Sequence, residues 1–301
     1  MPKHTSPKQV ARAIGVSEST LKRWCDSGLI SMTKTAGGHR RIEIEAVIRF
    51  LRQNGRELVE PELLGLPVTA GKTAWTLNRA TDRLIAALIA GEEAVVRQLV
   101  FDLLLANHSP TAIADDVVTP AMHRIGEQWS CGDVAIYQER RACEICIRVI
   151  HELQQSSTCR QAQSPEAIGG TIEADFYTIP VALAETVLTS VGWHATTLGT
   201  NLPFNTLCQA LEMSRPRLIW LSVSHIADNE QFVAGVNQLF QTALESATAL
   251  AIGGQAVSEP LRRQIQYTVF CETFRDLERF ARSLHPVPGT PTPPPVDASD
   301  S

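Results

Sequence analysis

Apolar positions change their spacing twice along the chain, and the changes divide it into three stretches. In the first, Val10, Ala11 and Ile14 share one face of a predicted helix over Pro7–Ile14. Gly15 breaks that helix, and Ser17 is placed to cap a second one running through Trp24, with Leu21 and Trp24 on its buried side. Gly28 ends it. The pair Gly37-Gly38 predicts a tight turn, and the segment from Ile42 to Arg52 predicts a third helix.

In the second stretch a helical period runs through Leu77–Ala90, Glu92–Asn107, Pro110–Gly126 and Val134–Gln155, which predicts an antiparallel four-helix bundle. The third alternates short apolar runs, Ala167–Ile172, His194–Leu198, Leu218–Val223, Ala247–Ile252 and Thr268–Phe270, with helices starting near Ile179, Phe204, Glu230, Pro260 and Phe274. Five strand-helix units imply a doubly wound parallel sheet of flavodoxin-like type. The fold class is therefore multidomain α and α/β. Its expected parts are a winged helix-turn-helix over residues 1–56, a linker over 57–75, the bundle over 76–158 and the α/β domain over 166–285. The linker reading rests on Pro61, Gly65, Pro67 and Gly71 among polar residues, and the proline-rich residues 286–301 read as a disordered tail.

Charge sharpens this division. Residues 1–56 hold eleven Lys and Arg against four acids, so they carry +7 and leave −12 for the rest of a chain whose total is −5. A basic module on an acidic body is the electrostatic form of a nucleic-acid binder. No apolar run is long enough for a membrane span or a signal peptide, so the expected location is the cytoplasm, without membrane contact. Seven scattered cysteines imply reduced thiols rather than a disulfide framework. Cys143 and Cys146 form a CxxC inside a helical pattern and read as core, and His108, His123 and His151 lie on separate segments, so no metal site is expected. No catalytic constellation is evident, and the chain reads as a non-enzyme.

On the second helix Ser17, Ser19, Thr20, Lys22 and Arg23 are available to DNA. Lys34 and the run Gly37-Gly38-His39-Arg40-Arg41 form a candidate wing, with Arg40 and Arg41 suited to phosphates. This order, helix-turn-helix, then AGGHRR, then a helix, closely resembles the MerR family over residues 5–54. The resemblance implies a regulator of transcription that binds double-stranded promoter DNA as a dimer or tetramer.

Bundle followed by α/β unit is similar to the cobalamin-binding module of methionine synthase and, behind a MerR domain, to light-responsive repressors of the CarH/LitR type. The matching positions are Trp129 and Glu139, as in the bundle motif W-x9-E-H; Ser222, facing the nucleotide tail, with Ser224 on the same rim; and Gly253-Gly254, where the backbone approaches that tail. The departures matter as much. In the loop D/E-x-H-x-x-G this chain has Glu173, Asp175 at the histidine and Thr178 at the glycine, while Arg140 and Ser130 stand where histidines are expected. A carboxylate replaces imidazole poorly on cobalt, so histidine-ligated binding in the usual manner is not expected. Cobalamin held base-on or loosely, another chromophore or tetrapyrrole, and no ligand at all stay open. So do a protein antirepressor as regulator, a ligand-independent DNA-binding protein, and a corrinoid-dependent methyltransferase or mutase subunit. The preferred reading is a repressor whose assembly is set by a sensory module.

Overall fold

The computed structural model describes residues 4–34, 40–54, 56, 58–66, 77–157 and 164–285. Ser6 caps helix α1 (Pro7–Ala13) in a reciprocal pairing with Gln9, and the Ser17 hydroxyl accepts the Thr20 N–H to start α2 (Glu18–Asp26). A short strand β1 (His4–Thr5), which the sequence did not suggest, joins β2 (Met32–Lys34) and β3 (Arg40–Glu43) in an antiparallel sheet of order β1-β3-β2. Helix α3 (Ile44–Gln53) closes the module, and Trp24 packs on its Phe50 with ring centroids 4.7 Å apart.

The expected tether needs correction where it is described. Leu58, Leu64 and Leu66 are buried, a 3-10 turn forms over Pro61–Leu64, and the N–H groups of Val59 and Glu60 donate to the Ala13 carbonyl. Residues 58–66 thus belong to the first module, because three leucines bury too much apolar surface to stay in water. Residues 67–76 and the tail from 286 lie outside the described residues.

The bundle consists of α4 (Leu77–Ala90), α5 (Glu93–Leu105), α6 (Pro110–Ile113), α7 (Thr119–Ser130) and α8 (Ile136–Ser157). Its third helix, expected to be continuous, widens into a π-helical turn over Ala114–Val118. Pro120 explains the local chemistry: it has no N–H for the carbonyl of Asp116 four residues earlier, and that carbonyl accepts the Thr81 hydroxyl instead, at 3.0 Å. Helix α3 packs against α5 and α8, and Arg49 Nη2 donates to the Gln155 carbonyl at 3.3 Å, so the first module shares a continuous apolar core with the bundle.

Strands β4 (Glu166–Ile172), β5 (His194–Leu202), β6 (Leu218–Ser222), β7 (Ala249–Gly253) and β8 (Val269–Cys271) form a parallel sheet of order β5-β4-β6-β7-β8. The helices are α9 (Thr178–Ser190), α10 (Phe204–Ser214), α11 (Asn229–Glu245), the short α12 (Glu259–Arg262) and α13 (Phe274–Leu284). Side chains alternate across the sheet: Ile168, Ile219, Leu221, Leu250 and Ile252 join one core, while Ala167, Leu218, Trp220 and Ala251 join the other, with α9 and α13. Helix α8 lies along α9, with Gln154 and Gln155 near Glu185 and Thr189, so its first turns point toward the carboxyl ends of the strands. No helix among the described residues is long and apolar enough to cross a membrane.

Candidate functional site

Helix α2 presents Ser19, Lys22 and Arg23 to solvent, while Leu21 and Cys25 face inward. Four candidate contacts are already engaged: Ser17 is consumed as a cap, with the Ser19 and Thr20 hydroxyls each 2.9 Å from its own, and Arg40 Nη1 lies 3.2 Å from Asp26. Arg41, on the neighbouring strand position, is exposed. Gly37, Gly38 and His39 lie outside the described residues, as does the side chain of Lys34. What is described is a helix that exposes Lys22 and Arg23 beside a hairpin, an arrangement able to insert side chains into a major groove and to set phosphate contacts next to it.

At the other end of the molecule a cavity of about 450 Å3 opens between the sheet and helices α9 and α13. It brings together Ser222, Ser224, Gly253 and Gly254 of the expected site. Small residues on the strands make the space, and Trp220 takes part of it back: a Cβ on Gly169 would sit 2.1 Å from the indole, so only glycine fits beside that ring. Gly254 has φ +123°, and a Cβ there would lie 2.1 Å from the Val223 carbonyl oxygen. Sequence reasoning missed Trp220, and it missed Asp115 and His123, which reach the cavity from the bundle.

Asp175 does not open onto this space. It is fully buried, and its carboxylate accepts N–H groups from Tyr177 at 3.0 Å, Ser224 at 2.6 Å and His225 at 3.1 Å. Its carbonyl accepts the Thr171 hydroxyl and the Asn201 N–H. The residue clamps the β4–α9 loop to the β6–α11 loop. Around it Glu173, Phe176, Tyr177, Thr178 and His225 are exposed, with Thr178 as the first residue of α9.

Trp129 and Glu139 are apart from the cavity lining. Trp129 is about half exposed at 46%, and Ile136 and Tyr137, which begin α8, are more open still. Glu139 accepts a hydrogen bond from the Cys143 thiol at 3.2 Å. Burial, reinforced by that acid, pushes the Cys143 thiol up to about 12, and burial does the same to Cys146. The CxxC is therefore a protonated, packed pair, and no cluster fit for a metal ion occurs among the described residues. An alkylating reagent at pH 8 is expected to label exposed Cys131 in the folded protein and to spare Cys143 and Cys146 until denaturant is added, read by peptide mass spectrometry. Labelling of the pair in the native state would contradict this burial.

Comparison with known proteins agrees with both ends. A helix-turn-helix domain family matches residues 6–55, and a B12 binding domain family matches residues 80–154. The chain thus joins a helix-turn-helix domain to a bundle of the B12 binding domain type. The trimethylamine corrinoid protein of Methanosarcina barkeri is 21% identical over 189 residues, covering 62% of this chain and 87% of that protein. Trimethylamine corrinoid protein 1 of Methanosarcina mazei is 20% identical over 190 residues, covering 62% and 88%. The structure of the Methanosarcina barkeri monomethylamine corrinoid protein superposes with a TM-score of 0.59 at 16% identity, covering 69% of this chain and all of that one, and so shares its fold. The residues fit a corrinoid in part. The volume of the cavity, its glycine cradle and the indole Nε1 of Trp220, buried without a hydrogen-bond partner, suit a bulky polar tail. Position 175 does not suit cobalt, since both its oxygens are spent on backbone.

Proposed function

We propose that the chain is a MerR-type transcriptional repressor that acts by binding rather than catalysis, and that its corrinoid-binding half governs assembly on promoter DNA. The observation that carries this reading is the union in one chain of a helix-turn-helix whose second helix exposes Lys22 and Arg23 with a bundle that matches a B12 binding domain and borders a cavity. A single helix-turn-helix module buries only about 600–1,000 Å2 on DNA, so tight specific binding calls for two or more copies on repeated half-sites. A corrinoid that binds one assembly state more tightly shifts the population toward it.

The test is DNA binding by the full chain on its own upstream region, across a salt series, with and without adenosylcobalamin. The supporting result is a visible absorption band that stays with the protein and a change of affinity or stoichiometry on DNA. Replacing Lys22 and Arg23 together by alanine is expected to weaken binding to all sequences and to flatten the salt slope by about 1.8, the loss of two phosphate contacts. An unchanged slope removes α2 from the phosphate surface.

The corrinoid relatives favour a second reading, a carrier subunit for a methyltransferase. It leaves the basic module unexplained, and methyl transfer from a methylated amine to bound corrinoid, assayed with a methyltransferase partner, distinguishes it.

A further inference from the structure

We infer that the cavity between the sheet and helices α9 and α13 takes an uncharged purine nucleoside, with the Trp220 indole N–H donating to a ring nitrogen of the base. Trp220 is 2% exposed and lines the cavity, and its Nε1 has no hydrogen-bond partner. Four other buried side-chain atoms among the described residues share that condition, on Arg49, Thr111, Thr189 and Trp193, and none of these residues belongs to the lining. A buried donor is seldom left unmet, so the cavity calls for an occupant with an acceptor. Much of the remaining wall is apolar and small. Pro180 and Ala184 come from α9, Ala251 from β7 and Leu277 from α13, and the last three share a core with Trp220. An apolar slot with one buried donor matches a heteroaromatic ring, which has apolar faces and a nitrogen acceptor at its edge.

Charge narrows the class. Every aspartate, glutamate and arginine on the lining is already paired: Asp115 accepts the Phe274 and Arg275 N–H groups, Glu259 lies 3.1 Å from Arg263, and Arg262 lies 3.2 Å from Glu272. The N-terminus of α13, where an anion is favoured, is thus filled by a carboxylate of the protein itself. No lysine or unpaired arginine is left on the lining for a phosphate. The groups left free among the described residues include the hydroxyls of Ser222 and Ser224 and the Gln255 amide, at the carboxyl ends of β6 and β7. These neutral donors and acceptors suit the hydroxyls of a ribose. A purine on a sugar keeps ring-nitrogen acceptors in both of its rings, whereas a benzimidazole on a sugar keeps one. The volume of about 450 Å3 falls within the range of small-molecule sites, roughly 300–1,000 Å3. The inference stands on the cavity and not on the corrinoid reading, since a free nucleoside and the base-bearing tail of a corrinoid offer the same chemistry.

The test follows the Trp220 indole N–H by nuclear magnetic resonance of the full chain, the signal being assigned by its loss in Trp220→Phe. Adenosine is expected to shift this signal saturably. Trp220→Phe keeps an aromatic ring and removes the donor, and is expected to bind adenosine about three- to tenfold more weakly by calorimetry. AMP gains nothing over adenosine, and the riboside of dimethylbenzimidazole binds more weakly. Ala184→Leu enlarges the α9 wall, leaves the donor in place and is expected to abolish binding, which keeps the test decisive if Trp220→Phe fails to fold. Two corrinoids separate the sources, one with adenine as its tail base and cobalamin with dimethylbenzimidazole. If adenosine does not bind but the adenine corrinoid moves the Trp220 signal and binds more tightly than cobalamin, the inference holds and the purine arrives on a tail. A signal unmoved by every purine ligand overturns it, as does tighter binding of AMP than of adenosine, or benzimidazole forms that bind as well as their purine counterparts. Corrinoid binding that leaves the signal unmoved overturns this inference and keeps the functional reading above; adenosine binding without corrinoid binding does the reverse.

Discussion

Histidine placed at position 175, where the loop motif D/E-x-H-x-x-G carries one, is expected to destabilise the protein rather than create a cobalt ligand. The Asp175 carboxylate satisfies three backbone N–H groups in a site with no solvent exposure. An imidazole offers at most one acceptor, and each buried donor left unmet costs about 1–3 kcal/mol. Asp175→His is therefore expected to lose about 3 kcal/mol or more in chemical denaturation, with faster amide exchange at Ser224 and His225. Adding Thr178→Gly does not repair it, since Thr178 is exposed at the start of α9. A variant of parental stability with tighter corrinoid binding would defeat the anchor role.

A second large effect belongs to Asp115, in the π-helical turn of the bundle. Its carboxylate accepts the N–H groups of Phe274 and Arg275, both at 2.9 Å, and so caps α13 from a helix more than 150 residues away in sequence. Arg275 in turn pairs with Asp116. Helix N-termini favour a carboxylate there, and hydrogen bonds to a charged group contribute about 1.5–3 kcal/mol each. Asp115→Ala is expected to cost about 3 kcal/mol and to expose the Phe274 and Arg275 amides to exchange. Protection unchanged at those two amides would remove the latch. Burial raises the Asp115 pKa above its ordinary 3.8, against the two N–H bonds that lower it. The folded state thus holds this proton more tightly than the unfolded state does. The part of the stability that comes from binding this proton is complete below 3.8 and is lost as pH rises through the folded value, while the two N–H bonds to the carboxylate remain. Asp115→Asn should flatten the stability curve over that acid range.

Much of this fold is legible in the sequence. Gly91, Ser109-Pro110 and Gly132 lie between the helices of the bundle, as the gaps in the helical period require, and Leu77–Ala90 is a helix over the span expected. The sheet is legible because strands buried on both faces read as short apolar runs. The exposed face of α2 is legible because local spacing decides which side of that helix is wet. Three kinds of feature are not. The Asp115 latch is a contact between distant segments that no local period encodes, and Asp115 itself looks like any surface acid. Asp175 shows only that a histidine is missing; its partners are backbone N–H groups, which every sequence has. The linker reading failed because proline and glycine were weighed above Leu58, Leu64 and Leu66, whose burial decides the matter. Trp220 left one sign, the strand glycine Gly169, which a close approach explains once the indole is placed.

Helix α8 has 22 residues and, at 1.5 Å per residue, is about 33 Å long. Its first turns point toward the carboxyl ends of the strands, and it ends against α3, where Arg49 meets Gln155. Such a rod is a lever. A tilt of about 5° at the rim end displaces the far end by about 3 Å, close to the 3.4 Å rise of one base pair. Under the function proposed above, a tilt of α8 would carry the first module along the DNA by about one base-pair step and leave the recognition helix itself unaltered.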